Sequence, residues 1–309
     1  MRVLVVGSAN ADLVTRVPRC PRPGETLLGS GFFTEAGGKG ANQAVSAARL
    51  GADTAFLGCV GNDALGTMLE ASLREAHVDV TGLQRSEDHP SGTAVIVVAE
   101  DGENAIVVTP GANGAVTPAL IEAHESLFAQ ADAVITQFEI PLETVAAALR
   151  IARKHNCMTV LDCGAATAEA REVLAHATIV SPNETETATL TGLNVSQLED
   201  AQTAAAALRD LGAKEVVLKL GAQGAFYLGQ QGSHYAPAFE VDVVDTTAAG
   251  DAFTAALTVQ WPKGNFEDAL TWANAAGAAA CTRQGAQPAM PTAAEVEKLA
   301  KQGALREPV

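Results

Sequence analysis

Apolar and polar positions follow two different periods from residue 114 onward. Short runs that are apolar at consecutive positions, such as Ala133 to Ile135 and Val216 to Leu218, are typical of parallel strands with helices on both faces. The pattern predicts strands at 132–137, 158–162, 177–180 and 214–219, and helices at 117–129, 141–154, 167–175, 184–191, 196–211, 266–282 and 292–301. This alternation indicates an α/β fold with a parallel sheet and right-handed crossovers.

Two segments in the first third of the chain break this alternation. After a predicted buried strand at 3–7, residues 13–36 contain three prolines, three glycines and short apolar pieces, which favour short strands joined by turns. Residues 92–99 and 104–109 flank a polar stretch and predict a hairpin. We expect these inserts, approximately 12–36 and 91–110, to pair into a small sheet that covers the site of a single domain spanning 1–309.

Composition limits the partners that this chain can have. No apolar run approaches the roughly 20 residues that a membrane helix needs, and the opening apolar stretch is too short for a signal peptide. The five cysteines are scattered and include no CxxC pair, so the prediction is a reducing, cytoplasmic compartment without a disulfide framework or zinc site. A formal charge of −16 argues against nucleic acid or an anionic membrane as a partner. A nucleotide would therefore be held by backbone amides, a metal ion and a few local cations.

The stretch from Asp245 to Asp251 has the pattern of an anion site. A predicted strand at 239–244 leads into a turn of very small residues, and a helix then opens on the carboxylate of Asp251. Free N–H groups at a helix start bind anions, and the helix dipole stabilises an acid in the first turn. A phosphoryl group beside an ionised Asp251 would suit phosphoryl transfer with this residue as base. A capped helix after a strand explains the same stretch equally well.

Polar residues cluster near other predicted strand ends, where open α/β sheets bind ligands. Asn10 and Asp12 follow the first strand and can contact sugar hydroxyls, although an Asx turn also explains them. The segment 37–43, Gly-Gly-Lys-Gly-Ala-Asn-Gln, opens a helix that runs to about residue 50 and offers Lys39 and Asn42 among small residues. It is neither a Walker loop nor the GxGxxG motif of nicotinamide dehydrogenases.

Four further strand ends carry polar groups or glycines. Glu139 and Asp162 each follow a predicted strand. Asn183 and Glu186 are three residues apart at a helix start, where they could point over the strand ends or form a capping box. The glycine turn 219–224 is compatible with nucleotide contact or with a plain β connection.

Taken together, the chain resembles the ribokinase-like carbohydrate kinases from end to end, and within that family it is most similar to the kinases of ribose. The motifs that carry the resemblance are Gly37 to Ala44 and Asp245 to Asp251, about 200 residues apart, with the Asn183 and Glu186 motif between them. The resemblance implies a doubly wound, mostly parallel α/β domain with a small β-sheet lid that forms a homodimer contact. It also implies ATP-dependent phosphorylation of the primary hydroxyl of D-ribose, with Mg²⁺ as cofactor and K⁺ as activator.

The resemblance also assigns roles to individual residues. Asp251 is expected to be the base, and the amides of an anion hole come from Ala248, Ala249 and Gly250. The expected sugar contacts are Asn10, Asp12, Gly38, Lys39, Asn42, Glu139 and Asp251. The expected nucleotide contacts are Asn183, Glu186, Lys219, Gly221, Gly224, Gly250 and Asn274, with Glu186 also holding Mg²⁺ through water. The expected monovalent-cation ligands, largely through carbonyl oxygens, are Asp245, Thr247, Ala280, Arg283, Gly285 and Ala289.

The chain departs from the family pattern at three places that bear on nucleotide contacts and cation affinity. Residues 162–165 are Asp-Cys-Gly-Ala where ribokinases usually have Asn-Pro-Ala-Pro. Lys219 stands where Thr is frequent, and Ala289 stands where Ser is frequent.

Two alternatives to a ribose kinase stay open at this point. The first is a kinase of the same family that acts on 2-deoxyribose, fructose, a keto-deoxy sugar acid or a nucleoside. The second is a regulator that binds a sugar or nucleotide without turnover, although such a role would not require an intact Asp251.

Overall fold

The strands of the chain form two separate sheets in the computed structural model, which describes residues 1–101 and 103–306. In chain order the strands are β1 (Arg2–Val6), β2 (Asn10–Val17), β3 (Gly31–Gly37), β4 (Asp53–Gly61), β5 (Asp79–Ser86), β6 (Gly92–Ala99), β7 (Asn104–Thr109), β8 (Ala133–Thr136), β9 (Met158–Asp162), β10 (Ile179–Ser181), β11 (Glu215–Lys219), β12 (Ala225–Gly229) and β13 (Gly232–Ala236). The helices are α1 (Lys39–Arg49), α2 (Ala64–Glu75), α3 (Pro118–Ala123), α4 (Glu125–Ala129), α5 (Leu142–Lys154), α6 (Glu184–Thr191), α7 (Leu198–Asp210), α8 (Ala249–Gln260), α9 (Phe266–Ala280) and α10 (Ala293–Gln302).

The larger sheet is doubly wound around its first strand. Its order is β13-β12-β11-β10-β9-β8-β1-β4-β5, and the strands from β11 to β5 are parallel to one another. The chain adds β4 and β5 on one side of β1 and then β8 and its successors on the other, which places a topological switch point between β1 and β8. Ligands bind at such a point, beyond the carboxyl ends of the strands.

Each face of the larger sheet is covered by helices. Val3 and Val5 of β1 pack into a core with α1, α8 and α9, whereas Leu4 and Val6 pack into a second core with α5 and α7. Alternate residues of one strand thus serve opposite cores, which is why its sequence is apolar at every position. The predicted α/β fold, with its mostly parallel, doubly wound sheet flanked by helices, is confirmed.

The smaller sheet is made of the two predicted inserts. Its order is β3-β2-β6-β7, with β2 and β6 parallel and the other two pairs antiparallel. The predicted small sheet is confirmed, except that residue 102 of the predicted hairpin lies outside the described residues. Because only three residues separate the end of β1 from the start of β2 at Asn10, the two sheets meet beside the switch point.

Three predicted elements differ in the structure. Residues 239–244, predicted as a strand, form an irregular segment with a single bridge between Phe239 and Leu305. The hairpin β12–β13, which the pattern did not predict, occupies the adjoining edge of the sheet, and Val243 and Val244 stay 58% and 64% exposed.

The helix predicted at 117–129 is broken at His124 into α3 and α4, and the short helix predicted near 167–175 is a 3₁₀ helix. Within the described ranges, no helix is long and apolar enough to cross a membrane.

Candidate active site

The turn before α8 presents an open helix start. Ala248 precedes the helix with a left-handed backbone, at φ 58°, and no side chain caps the first turn. A non-glycine residue in this region is strained, and such strain is often found at functional sites. The N–H of Gly250 has no acceptor within the described part of the chain, so it is available to an anion above the turn.

Asp251 lies in the first turn of α8 with its carboxylate buried against α1. Its Oδ2 accepts a hydrogen bond from Asn42 Nδ2 and its Oδ1 accepts one from Gln43 Nε2, each at 3.0 Å. Burial raises the pKa of Asp251 to about 6 although the Lys39 ammonium lowers it, and the charge of Asp162 adds to the increase. The carboxylate is therefore ionised at neutral pH and basic enough to accept a proton.

Residues predicted to contact the sugar gather around the junction of the two sheets. Glu139 Oε2 accepts hydrogen bonds from Ser8 Oγ at 2.6 Å and from the backbone N–H of Lys39 at 3.2 Å. Gly38 has φ 87°, and a Cβ there would lie 2.6 Å from the backbone nitrogen of Asn10. This close approach explains why a glycine is needed where α1 begins.

Asp12 lies on the face of the small sheet that is turned toward the same cleft. Burial, followed by the charges of Glu139 and Glu35, raises its pKa to about 7. Three carboxyl groups, those of Asp12, Glu139 and Asp251, therefore share one partly dry space. Carboxylates only accept hydrogen bonds, so such a group suits a ligand with many hydroxyl donors.

Asn113, which the sequence did not suggest as a site residue, orients Asn10. Its Nδ2 donates to Asn10 Oδ1 at 2.7 Å, and its Oδ1 accepts from the backbone N–H of Ala9 at 2.9 Å. Because Asn10 Oδ1 is occupied, the amide group of Asn10 offers its N–H donors to a ligand. Asn113 is more than 100 residues from its partners in sequence, and nothing in the local pattern marks it.

A cavity of about 470 Å³ lies on the other side of Asp251. All seven residues predicted to contact the nucleotide line it, namely Asn183, Glu186, Lys219, Gly221, Gly224, Gly250 and Asn274. Asn183 and Glu186 also form the capping box of α6, with two hydrogen bonds of 2.8 Å, so the capping-box interpretation is confirmed for residues that line the cavity as well. The side-chain amide of Asn274 donates hydrogen bonds to the carbonyls of Ala236 and Pro237.

The two departures at positions 162 and 219 meet in space. Asp162, at the end of β9, is fully buried, and its Oδ2 accepts from Lys219 Nζ at 2.8 Å. Burial opposes the charge of Asp162, but Lys219 and Lys39 outweigh it and lower its pKa to about 2. Burial likewise disfavours the Lys219 ammonium, yet Asp162 and Glu186 hold its pKa above the ordinary value. The pair is therefore charged throughout the neutral range.

The loop predicted to bind a monovalent cation is only partly assembled around Asp245. Its Oδ1 accepts from the N–H and hydroxyl of Thr247 at 2.9 and 2.6 Å, and its Oδ2 accepts from the N–H of Gly285 at 2.9 Å. Burial disfavours this carboxylate, but these hydrogen bonds lower its pKa. Ala280 and Ala289 are buried, whereas the side chain of Arg283 pairs with Glu295 of α10.

Gln43 is a second site residue that the sequence patterns did not predict. It donates to Asp251 and accepts from Gln137 Nε2 at 2.6 Å, so two amide side chains link the residue that follows β8 to the carboxylate. A signal was available, because Gln43 directly follows Asn42 in the glycine-rich motif. Its role depends on how α1 and α8 pack, which the motif does not contain.

Comparisons with known proteins agree with this geometry. A model of the pfkB family of carbohydrate kinases matches residues 1–293. A ribokinase of Haemophilus influenzae is 39% identical over 292 residues, covering 94% of this chain and 95% of its own, and one of Bacillus subtilis is 40% identical over 298 residues, covering 96% and 98%. A solved structure of Arabidopsis thaliana ribokinase complexed with ribose and ATP has a TM-score of 0.88 at 35% identity, covering 97% of this chain and 98% of its own. This chain belongs to the pfkB family of carbohydrate kinases.

Proposed function

We propose that this carbohydrate kinase transfers the γ-phosphoryl group of ATP to the primary 5-hydroxyl of D-ribose, with Asp251 as the general base. The observation that carries the proposal is the position of Asp251. Its carboxylate is buried at an open helix start. On one side lie the carboxyl groups of Asp12 and Glu139, which can accept hydrogen bonds from hydroxyl groups, and on the other side lies the cavity of about 470 Å³. The ribokinase relatives and the complex with ribose and ATP support this choice of substrates.

In the proposed reaction the sugar oxygen attacks the γ-phosphorus while its proton passes to Asp251. The new oxygen–phosphorus bond forms as the bond from the γ-phosphorus to the β–γ bridging oxygen breaks, and ADP leaves with that electron pair. Positioning and charge stabilisation carry most of the rate in phosphoryl transfer, and a positioned base contributes about 10²- to 10⁴-fold. Asn42 and Gln43 keep the carboxylate fixed in the orientation that the attack requires.

Charge on the transferred group would be met by the turn before α8 and by two lysines. The amides of Ala248, Ala249 and Gly250 form the proposed anion hole at the positive end of the helix dipole, although the N–H of Ala249 also donates to the Thr246 carbonyl at 3.3 Å. Lys39 and Lys219 line the same cavity. In a chain of net charge −16, these local groups let an anionic nucleotide bind.

Magnesium fits the nucleotide side of this site. Glu186 lines the cavity and uses only Oε2 in its capping box, so Oε1 is available to a cation or its water shell. Oxygen ligands of this kind suit Mg²⁺. When bound, Mg²⁺ neutralises charge on the phosphates.

Potassium fits less completely. Asp245 provides a charged oxygen beside Thr247 and Gly285, and the carbonyls of Ala280, Arg283 and Ala289 would complete the set. A cation there would steady the turn that leads into α8.

The small sheet supports two further parts of the proposal. As a lid, it would cover the sugar, since the face that bears Asp12 and Phe33 lines the cleft. Its other face exposes Phe32 and Val107, which are 68% and 65% accessible and suit the contact of a homodimer. The cysteines are unpaired in the described residues, which agrees with the reducing cytoplasm that we propose as the location.

A coupled assay of ADP release tests the function. Ribose, 2-deoxyribose, fructose, adenosine and pseudouridine are offered with MgATP, with and without K⁺. We expect ribose to give the highest kcat/KM. Preference for another sugar or nucleoside would replace the substrate and keep the kinase, whereas sugar binding without any ADP release would favour the regulator.

A further inference from the structure

Asp162 is a buried acid that three different parts of the chain hold. Besides Lys219 at the end of β11, it accepts from the hydroxyl of Thr254 on α8 at 2.6 Å and from the N–H of Gly164 at 2.9 Å. The carboxylate is completely inaccessible to solvent. It therefore fixes Lys219 relative to the helix whose first turn carries Asp251.

Lys219 reaches the anion-binding turn from the opposite wall of the cavity. Its Nζ lies 3.8 Å from the place that a Cβ on Gly250 would occupy, and its side chain is 11% exposed. Asp162 accepts one of its three ammonium N–H groups, and the described residues provide no hydrogen-bond acceptor for the other two. Those two donors remain for a ligand in the cavity.

Stability alone is a poor explanation for this ion pair. Taking an ammonium and a carboxylate out of water costs several kcal/mol for each ion, and replacing a buried pair by uncharged groups of similar size is often neutral or stabilising. A cation beside Gly250, however, faces the place where an anion would bind. A desolvated ammonium attracts a bound anion more strongly than a solvated one does, because charge interactions are strong in a dry site.

We propose that Asp162 is a positioning residue that holds the Lys219 ammonium against the turn before α8, where Lys219 donates to the phosphates of the nucleotide. This inference rests on the proposed kinase function, which supplies the phosphates. The pair also explains two departures together, because Asp at 162 and Lys at 219 form one charged unit. Without Asp162, Lys219 would be drawn toward Glu186, the other acid near it.

The test compares binding of ADP with binding of adenosine by isothermal titration calorimetry. The variant Asp162→Asn/Lys219→Met removes both charges with little change in volume. We expect its ADP affinity to fall about 10- to 100-fold, the usual effect of losing a hydrogen bond to a charged group. Its adenosine affinity should stay within about twofold, since adenosine has no phosphate. A purely structural pair would affect both ligands alike or neither.

Two single variants separate the roles of the partners. Asp162→Asn keeps the ammonium but loses its anchor, so ADP affinity should fall several-fold. Lys219→Arg keeps the charge and the pair, so most of the ADP affinity should remain. These two variants decide the matter if the double variant does not fold, which thermal unfolding would reveal. The matched control is Lys301→Met/Glu297→Gln, which removes an exposed ion pair on α10 and should bind both ligands as the wild type does.

If the double variant binds ADP as tightly as the wild type does, the proposal is overturned. If Asp162→Asn binds ADP as tightly as the wild type does, the positioning role of Asp162 is overturned. An equal loss for ADP and adenosine would also overturn the proposal. Because these measurements need no sugar, they stay distinct from the proposed function. If the wild type binds ADP but releases no ADP from ATP with any sugar, the proposed kinase function is contradicted. The ADP and adenosine affinities of the variants still test the contact between Lys219 and the phosphates in that case.

Discussion

Replacing Asp251 by Asn removes the proposed base and at the same time relieves a buried charge. The carboxylate receives one hydrogen bond from Asn42 and one from Gln43, both at 3.0 Å. An amide in its place can accept only one of them. The second contact can be restored if the Asn42 amide rotates, because Asn42 Oδ1 is buried and has no partner among the described residues. The variant should therefore fold with its hydrogen bonds largely preserved.

Activity should fall steeply in this variant. Loss of a positioned base costs about 10²- to 10⁴-fold in rate, or roughly 3 to 5 kcal/mol of barrier. The pH profile of the wild type should agree with this assignment. Since the base must be ionised and its pKa is about 6, kcat/KM should decline as pH falls through that value.

Stability should change in the opposite direction. Folding raises the pKa of Asp251 from 3.8 to about 6, so the folded state holds its proton more tightly than the unfolded state does. The resulting stability is present below pH 3.8 and is lost as pH rises through about 6. A shift of about two pKa units corresponds to about 3 kcal/mol of unfolding free energy at neutral pH. Asp251→Asn avoids this loss and should be more stable than the wild type by up to that amount.

Two measurements check this reasoning. The coupled assay with ribose and MgATP gives the turnover, and urea unfolding at several pH values gives the free energy of unfolding. A variant that keeps more than a tenth of the wild-type kcat would refute the role of Asp251 as base. A difference in stability that does not grow between about pH 4 and about pH 6 would refute the inference that burial raises its pKa.

Three further predictions concern the surroundings of the base. Asn113→Ala should raise the KM for ribose about tenfold and leave the KM for ATP unchanged, because Asn10 loses the group that orients it; equal changes in both constants would contradict this. Gly164→Ala places a Cβ 2.1 Å from Lys39 Cε, so Lys39 must move, and we expect a lower kcat/KM with little change in the melting temperature. Asp245→Ala should abolish activation by K⁺ in the ADP-release assay, and an unchanged response to K⁺ would count against the proposed cation site.

Sequence patterns predicted those elements whose residues have one dominant environment. β8 and β11 are apolar at consecutive positions because helices cover both faces, and their existence follows directly from that pattern. The segment 239–244 has the same apolar character but no place in the sheet, because the β12–β13 hairpin already occupies that edge. Periodicity records burial, and it does not record which edge is free.

The site shows the same division at the level of single residues. The glycine-rich motif and the turn before Asp251 could be recognised locally, because close backbone approach and an open helix start each need small residues in sequence. Asn113 and Gln43 act through partners more than 100 and 200 residues away. Their side-chain amides reach these partners only after β1, α1 and α8 have packed together.

The sequence by itself determined the α/β architecture, the family and the acid most suited to act as base, since each of these depends on residue types at short spacing. Only the tertiary structure decided that positions 162 and 219 form one charged unit beside Gly250. The ion pair needs Lys219 Nζ and Asp162 Oδ2 to lie 2.8 Å apart, although the two residues are 57 positions apart in the chain. They stand at the ends of β9 and β11, which have β10 between them. Parallel strand order brings those ends together, and that order is a property of the folded sheet.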